Sequence, residues 1–152
     1  MLDLNRGLLL ENTNVLIPWG IKKDKAWSLG SPSEWIDGDD SRITWKNVIV
    51  LHGVKTDILT WFPNNKSVLR SINIMPPERE RKKESGREWS VKIAEHLNRE
   101  IGLPIDYKTR KKNIDKEIGI PMFVWKNGKA KLSQMCDLRF VEGFWLEMGI
   151  ES

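Results

Sequence analysis

Two glycine-x-proline signals, Gly30-Ser31-Pro32 and Gly102-Leu103-Pro104, most constrain how this chain can fold. Glycine accepts the left-handed backbone conformation that follows a helix, and proline cannot continue a helix. The first signal closes a short helix predicted within residues 17–32, and the second closes a longer one. A strand-rich segment that carries tryptophan follows each signal. The sequence therefore predicts two diverged copies of one helix-then-strands unit.

The second predicted helix has the clearer pattern. Apolar residues recur at four-residue steps, which places them on one face of a helix. Those residues are Trp89, Ile93, Leu97 and Ile101. Ser85 is a predicted N-cap because Glu88 follows it three residues later, as in a capping box.

The remaining pattern predicts antiparallel strands. In the first half it predicts a strand or a hairpin over residues 8–17, a polar acidic loop over 33–42, and strands over 43–45, 48–52, 55–62 and 68–75. The strand over 55–62 alternates around Ile58, Thr60 and Phe62. In the second half it predicts strands over 121–125, 130–136 and 138–148. Asn127-Gly128 predicts a type I′ turn between the first two of these. His52 falls inside a predicted strand.

These elements predict an α+β fold of two diverged helix-then-antiparallel-strand units, with the helices packed on one face of the sheet. The chain of 152 residues is the size of a single domain, 1–152. Its two units are residues 1–76 and 85–152. The charged segment 77–84 is the predicted connector between them.

Composition limits the class of protein. A hydrophobic fraction of 39% and a charged fraction of 30% are typical of a globular chain rather than a disordered one. The single cysteine, Cys136, excludes an internal disulfide and favours a reducing compartment. No apolar run suits a signal peptide or a membrane span, so we expect a cytoplasmic protein without membrane association. Of the eight tryptophans, we expect five or six in the core.

Catalytic and cofactor motifs are absent from the sequence, which predicts a protein that is not an enzyme and has no cofactor. His52, His96 and Cys136 fit structural or surface roles. The loop that begins at Asp37 starts like a calcium-binding loop. Arg42 stands where the turn glycine belongs and Val48 where the bidentate glutamate belongs, so no metal site is predicted.

Two groups of residues are candidate contacts for a partner. The first is an acidic loop beside a large aromatic anchor. The second consists of basic segments on either side of the second helix. The candidate residues are Trp35, Asp37, Asp39 and Asp40 in the first group, and Arg79, Arg81, Lys108 and Arg110 in the second.

The ending Leu29-Gly30-Ser31-Pro32, repeated more loosely at residues 93–104, resembles the tandem helix-and-strand units of β-lactamase-inhibitor proteins and of outer-membrane-assembly lipoproteins. The entry Ile17-Pro18-Trp19-Gly20, in a small chain with many aromatics, resembles bacterial immunity proteins of contact-dependent and other polymorphic toxin systems. That resemblance implies a cytoplasmic protein that binds a cognate toxin and covers its active site. The net charge of +4 favours an acidic surface on that target.

Two other functions stay open from the sequence. A nucleic-acid-binding module would use the basic segments 79–87 and 108–112, although the alternating acids of the first segment make nucleic acid an unlikely partner. An enzyme would have to use Asp39, Asp40 or His52. The sequence predicts neither the oligomeric state nor the identity of a toxin.

Overall fold

The computed structural model describes residues 2–36, 41–64, 67–78, 83–105, 122–137 and 143–151. Nine strands and two helices form within these ranges. In chain order they are β1 (Gly7–Leu10), β2 (Val15–Pro18), α1 (Lys23–Trp27), β3 (Glu34–Ile36), β4 (Ser41–Val50), β5 (Val54–Phe62), β6 (Ser71–Met75), α2 (Lys83–Glu100), β7 (Val124–Asn127), β8 (Ala130–Asp137) and β9 (Gly143–Ile150).

Antiparallel pairing organises the strands, so the fold is α+β as predicted. Seven strands form one sheet in the order β3-β4-β5-β6-β9-β8-β7. Strands β1 and β2 pair in a separate hairpin, which is one of the two arrangements predicted for residues 8–17. In the middle of the large sheet, β6 pairs with β9, and Ile74 lies opposite Leu146. Strands from both halves of the chain therefore belong to one continuous sheet.

The core lies against one face of this sheet. Strand alternation directs every second side chain to the same side, and paired residues on neighbouring strands share a side. The buried side chains on this face include Ile43, Trp45, Ile58, Ile72, Ile74, Trp125, Leu132, Leu146 and Met148. Five of the eight tryptophans, Trp19, Trp35, Trp45, Trp89 and Trp125, lie in or against this core, as predicted.

Buried polar groups connect the sheet to the helical segments. The Trp45 indole donates to the carbonyl of Leu29, just after α1, at 2.7 Å. The Trp125 indole donates to Asn98 Oδ1 on α2 at 3.0 Å. The Gln134 amide donates to the Ser90 carbonyl, also on α2, at 3.0 Å. Each bond satisfies a donor that would otherwise be costly to bury.

The first helix is much shorter than predicted, because it covers only Lys23–Trp27. Ile17 and Pro18 belong instead to β2, where they pair with Leu8 and Gly7. Gly20 then has a φ of +82°, which a helix does not allow. The hairpin therefore takes the residues that the sequence pattern assigned to the start of the helix.

The second helix confirms the predicted apolar stripe. Ile93 and Leu97 are buried, and Trp89 and Ile101 pack against the core. Gly102 follows the helix with a φ of +125°. The predicted N-cap is wrong: α2 begins at Lys83, so Ser85 lies inside its first turn.

The predicted loop 33–42 contains β3 and the start of β4 instead. The two strands predicted over 43–45 and 48–52 are one strand, β4, with a bulge between Trp45 and Val48. Asn47 adopts a φ of +55° there, and its N–H donates to the buried Asp57 carboxylate at 2.8 Å. The bulge keeps Trp45 and Val48 both buried, which an unbroken alternation would not do.

His52 lies in the turn between β4 and β5, so its predicted position in a strand is wrong. Leu51, His52 and Gly53 have φ values of +55°, +63° and +100°. The Glu11 carboxylate accepts the N–H groups of His52 and Gly53 at 2.6 and 3.0 Å. His52 Nδ1 lies 2.7 Å from Glu100 Oε2 at the end of α2. These contacts hold the left-handed turn in place.

The hairpin of β7 and β8 forms, but its turn lies one residue later than predicted. Asn127 pairs with Ala130, so Gly128 and Lys129 are the turn residues. Gly128 has a φ of +63° and Lys129 has no positive φ, a combination that fits type II′ and excludes type I′. The Asn127 side chain instead binds the N-terminal segment, because it accepts from Leu4 N–H at 2.8 Å and donates to the Leu2 carbonyl at 2.9 Å.

The last strand confirms its apolar face for Phe144, Leu146 and Met148, which are buried. Residues 138–142 of the predicted strand 138–148, residues 79–82 of the predicted connector 77–84 and the basic segment 108–112 lie outside the described residues. Neither of the two described helices is long and apolar enough to cross a membrane.

The β1–β2 hairpin yields a stability prediction. A Cβ at Gly7 would collide with the carbonyl oxygen of Ile17 on the paired strand, and Gly7 has a φ of +142°. Gly20 also has a positive φ, but a Cβ there would meet no atom within 4 Å. We expect Gly7→Ala to lower the free energy of unfolding by about 3 kcal/mol or more, and Gly20→Ala by about 1 kcal/mol. Urea unfolding of both variants measures these free energies. Equal losses of stability in the two variants would contradict the prediction.

A second prediction concerns Glu100. Its hydrogen bond from His52 holds the pKa of this carboxyl below the usual value. A carboxyl with a lowered pKa in the folded state stabilises that state above its unfolded pKa, and the stabilisation is lost as acid protonates it. We expect the stability difference between the wild-type protein and Glu100→Gln to shrink from about pH 6 to about pH 3.

Urea unfolding across that range measures the effect. Glu88→Gln is the control, because Glu88 is exposed on the same helix and has no hydrogen-bonded partner among the described residues. A difference for Glu100→Gln that stays constant with pH would contradict the prediction.

Candidate protein-binding surface

Three exposed side chains lie in a row on the face of the sheet opposite the core. Ile36 on β3 pairs with Arg42 on β4, and Arg42 pairs with Trp61 on β5. Ile36 is 52% exposed, Trp61 is 50% exposed, and Arg42 is exposed as well. We call these three residues the outer row. They combine an aliphatic, a cationic and an aromatic side chain on neighbouring strands.

Strand alternation explains why the outer row faces solvent. Thr60 and Phe62 of β5 are buried, so Trp61 between them points to the other face. Ser41 and Ile43 flank Arg42 in the same way on β4. The row is therefore fixed by the same register that builds the core.

A depression lies beside Trp61. Its volume is about 390 Å³, and Trp61, Pro63, Val68 and Arg70 are among the residues that line it. Val68 is held by a bridge to Lys22, at the start of α1. The depression supplies a concave site next to an exposed aromatic ring, an arrangement typical of binding surfaces.

The rest of this face carries apolar as well as polar side chains. An antiparallel sheet with one covered face normally presents polar residues to water. Here the outward positions also include the half-buried Leu59, Met75, Met135 and Trp145. They share this face with polar residues, among them Asn73, Ser133 and Glu147.

Charges border the apolar positions. Arg42 and Arg70 are exposed near Trp61, and Glu34 is exposed on β3. At the other end of the sheet, Lys126 Nζ lies 3.0 Å from Glu151 Oε1 and lowers the pKa of that carboxyl. Within the described ranges, no group of three or more His, Cys, Asp or Glu side chains is placed to hold a metal ion.

Trp35 is the one predicted contact residue that the structure describes. It lies on β3 opposite Ile43, so its side chain points to the core side and is half-buried. Its ring packs against Trp27, with centroids 5.0 Å apart and planes inclined by 47°. Its indole N–H has no acceptor among the described residues. The other predicted contacts, Asp37, Asp39, Asp40, Arg79, Arg81, Lys108 and Arg110, lie outside the described residues.

The sequence prediction missed the outer row. The alternation of Ile58, Thr60 and Phe62 indicates that Trp61 faces away from the core, so a signal for this residue was present. For Ile36 and Arg42 the signal was weaker, because residues 33–42 have the composition of a loop. Their alignment with Trp61 depends on the pairing register of three strands.

The chain was compared with protein-family models, curated proteins and solved structures, and no match was found in any of the three.

The position of Trp61 yields a stability prediction. We expect Trp61→Ala to lower the free energy of unfolding by about 1 kcal/mol, because half of the side chain is already in water. Trp45→Ala should cost about 3–5 kcal/mol, because Trp45 is fully buried and its indole is hydrogen-bonded. Urea unfolding of the two variants checks this. A loss for Trp61→Ala as large as that for Trp45→Ala would contradict the assignment of Trp61 to the surface.

Proposed function

We propose that this protein acts by binding another protein through the outer row and the depression beside it. The exposure of Trp61 next to Arg42 carries this proposal. Tryptophan and arginine supply a large share of the binding energy in protein interfaces, because each buries a large area and offers directed hydrogen bonds. Adjacent strands fix the backbone positions of both residues before a partner binds.

We further propose that the partner is a protein toxin and that this chain is a bacterial immunity protein acting in the cytoplasm. The support is the Ile17-Pro18-Trp19-Gly20 entry and the aromatic-rich composition, together with a binding surface that needs no catalytic group. Inhibition would occur by occlusion, since a sheet face can cover the active site of a toxin domain. The positive net charge favours a target with an acidic surface.

The two-unit architecture belongs to this proposal. The last strand of each half, β6 and β9, pair antiparallel at the centre of the sheet. The hydrogen bonds from Trp45 to Leu29 and from Gln134 to Ser90 favour an arrangement with both helices over the buried face. That arrangement leaves the opposite face for a partner. The residues predicted from the sequence stay as proposed secondary contacts: Trp35, Asp37, Asp39, Asp40, Arg79, Arg81, Lys108 and Arg110.

The test uses the genes that flank this one. Each neighbouring product is expressed alone and then together with this protein. We expect one of them to arrest growth alone, growth to recover on co-expression, and the two proteins to co-elute as a stable complex. No toxic neighbour, or rescue without a complex, would overturn the immunity proposal.

Variants then locate the interface. We expect Trp61→Ala and Arg42→Ala each to weaken the complex by about tenfold or more, as hot-spot residues do. Leu103→Ala is the control, because Leu103 is exposed outside the sheet. Trp35→Ala and the triple change of Asp37, Asp39 and Asp40 to Asn measure the secondary contacts. If only these latter changes weaken binding, the outer row is not the interface.

A further inference from the structure

A second cleft lies away from the outer row, between helix α2 and the turn that joins β4 to β5. Its volume is about 470 Å³. Val54 and Ile93 supply apolar lining, and the Trp89 indole donates to the Lys55 carbonyl at 3.5 Å beside them. Lys92, His96 and Arg99 line the cleft along the helix.

The cleft has an excess of positive charge. Lys92 and Arg99 are exposed, and neither side chain has an ion-pair or hydrogen-bond partner among the described residues. Lys55 also lines the cleft, and Glu95 is its acidic residue. Cations beside an apolar floor attract an anionic group. Because Lys92 and Arg99 have no ion pair to break among the described residues, binding of such a group costs them no existing interaction there.

The turn wall of the cleft is held rigidly. His96 Nε2 lies 2.5 Å from the Leu51 carbonyl oxygen, and His52 bonds Glu100. The Glu11 carboxylate holds the two N–H groups of the turn from the other side. These bonds fix a backbone of three consecutive positive φ values. A cleft with such a wall needs little rearrangement to accept a ligand.

We infer that this cleft binds an extended, acidic polypeptide segment. Trp89 and Arg99 are ten residues apart on α2, so the helical side of the cleft is about 15 Å long. An extended chain of about four or five residues spans that length. Acidic side chains at alternate positions of the segment reach Lys92 and Arg99, and the backbone between them lies over Val54 and Ile93.

A polypeptide fits this cleft better than a nucleic acid does. The helix also carries Glu88 and Glu95 on exposed positions, and these carboxylates would repel a regular row of phosphates. A polypeptide places its acidic groups only where cations face them. This inference does not rest on the proposed toxin, and its test requires no partner protein.

The test uses the full chain labelled with ¹⁵N. The probe is a capped seven-residue peptide in which glycine alternates with glutamate, and the matched control has glutamine in place of glutamate. We expect the glutamate peptide to shift the amide signals of residues 53–55 and 89–99 in a saturable way. The glutamine peptide should leave those signals in place. No saturable shift with the glutamate peptide would overturn the inference.

Charge variants test which residues of the cleft bind the peptide. The double variant Lys92→Gln with Arg99→Gln should weaken peptide binding by about fivefold or more. Glu95→Gln should strengthen it by about twofold, because a repelling carboxylate is removed. Lys131→Gln is the control, since Lys131 is an exposed lysine on β8. An equal loss of peptide affinity in Lys131→Gln would mean that binding depends only on the net charge of the protein, and it would overturn the proposed site.

An oligothymidylate of eight nucleotides provides the remaining comparison. Weaker binding of the oligonucleotide than of the glutamate peptide, at equal ionic strength, supports a polypeptide ligand. Tighter binding that shifts the same amide signals would assign the cleft to nucleic acid and overturn the inference.

Discussion

The antiparallel pairing of β6 with β9 joins the two halves of this chain. On one side of it lie β3, β4 and β5, and on the other lie β8 and β7. The pairing aligns Ile72 with Met148 and Ile74 with Leu146, so the buried residues of both halves meet on one face. A shift of one residue in this register would turn those side chains to solvent. The shared core, and with it the outer face, depends on this alignment.

A bulge in β4 preserves the buried face of its pairing with β5. The bulge at Lys46 and Asn47 lets the long β4 strand keep a buried face on both sides of the irregularity, and Asp57 satisfies the backbone N–H of Asn47. The left-handed turn that follows is held by Glu11 and by the His52–Glu100 contact. Polar contacts thus connect the sheet to the first hairpin and to the end of α2. This connection also forms the wall of the basic cleft.

The fold presents two candidate surfaces, the outer row and the cleft beside α2, which differ in chemistry. The outer row places Arg42 between Ile36 and Trp61, and Arg70 lines the depression beside Trp61, which suits a protein interface with an aromatic and an arginine hot spot. The cleft beside α2 has the exposed cations Lys92 and Arg99 beside a small apolar floor, which suits an acidic segment. The acidic segment proposed for the cleft agrees with the positive net charge of the chain.

The sequence alone determined the elements with strong local signals. The stripe from Trp89 to Ile101, the helix end at Gly102 and the alternation of Ile58, Thr60 and Phe62 were all predicted, because each reflects the geometry of a single helix or strand. The α+β class followed from these elements. Only the tertiary structure decided that Asn127 binds the N-terminal segment and that Ile36, Arg42 and Trp61 form one row. The first depends on a partner far away in the chain, and the second depends on the pairing register of three strands. Local pattern carries no information about either.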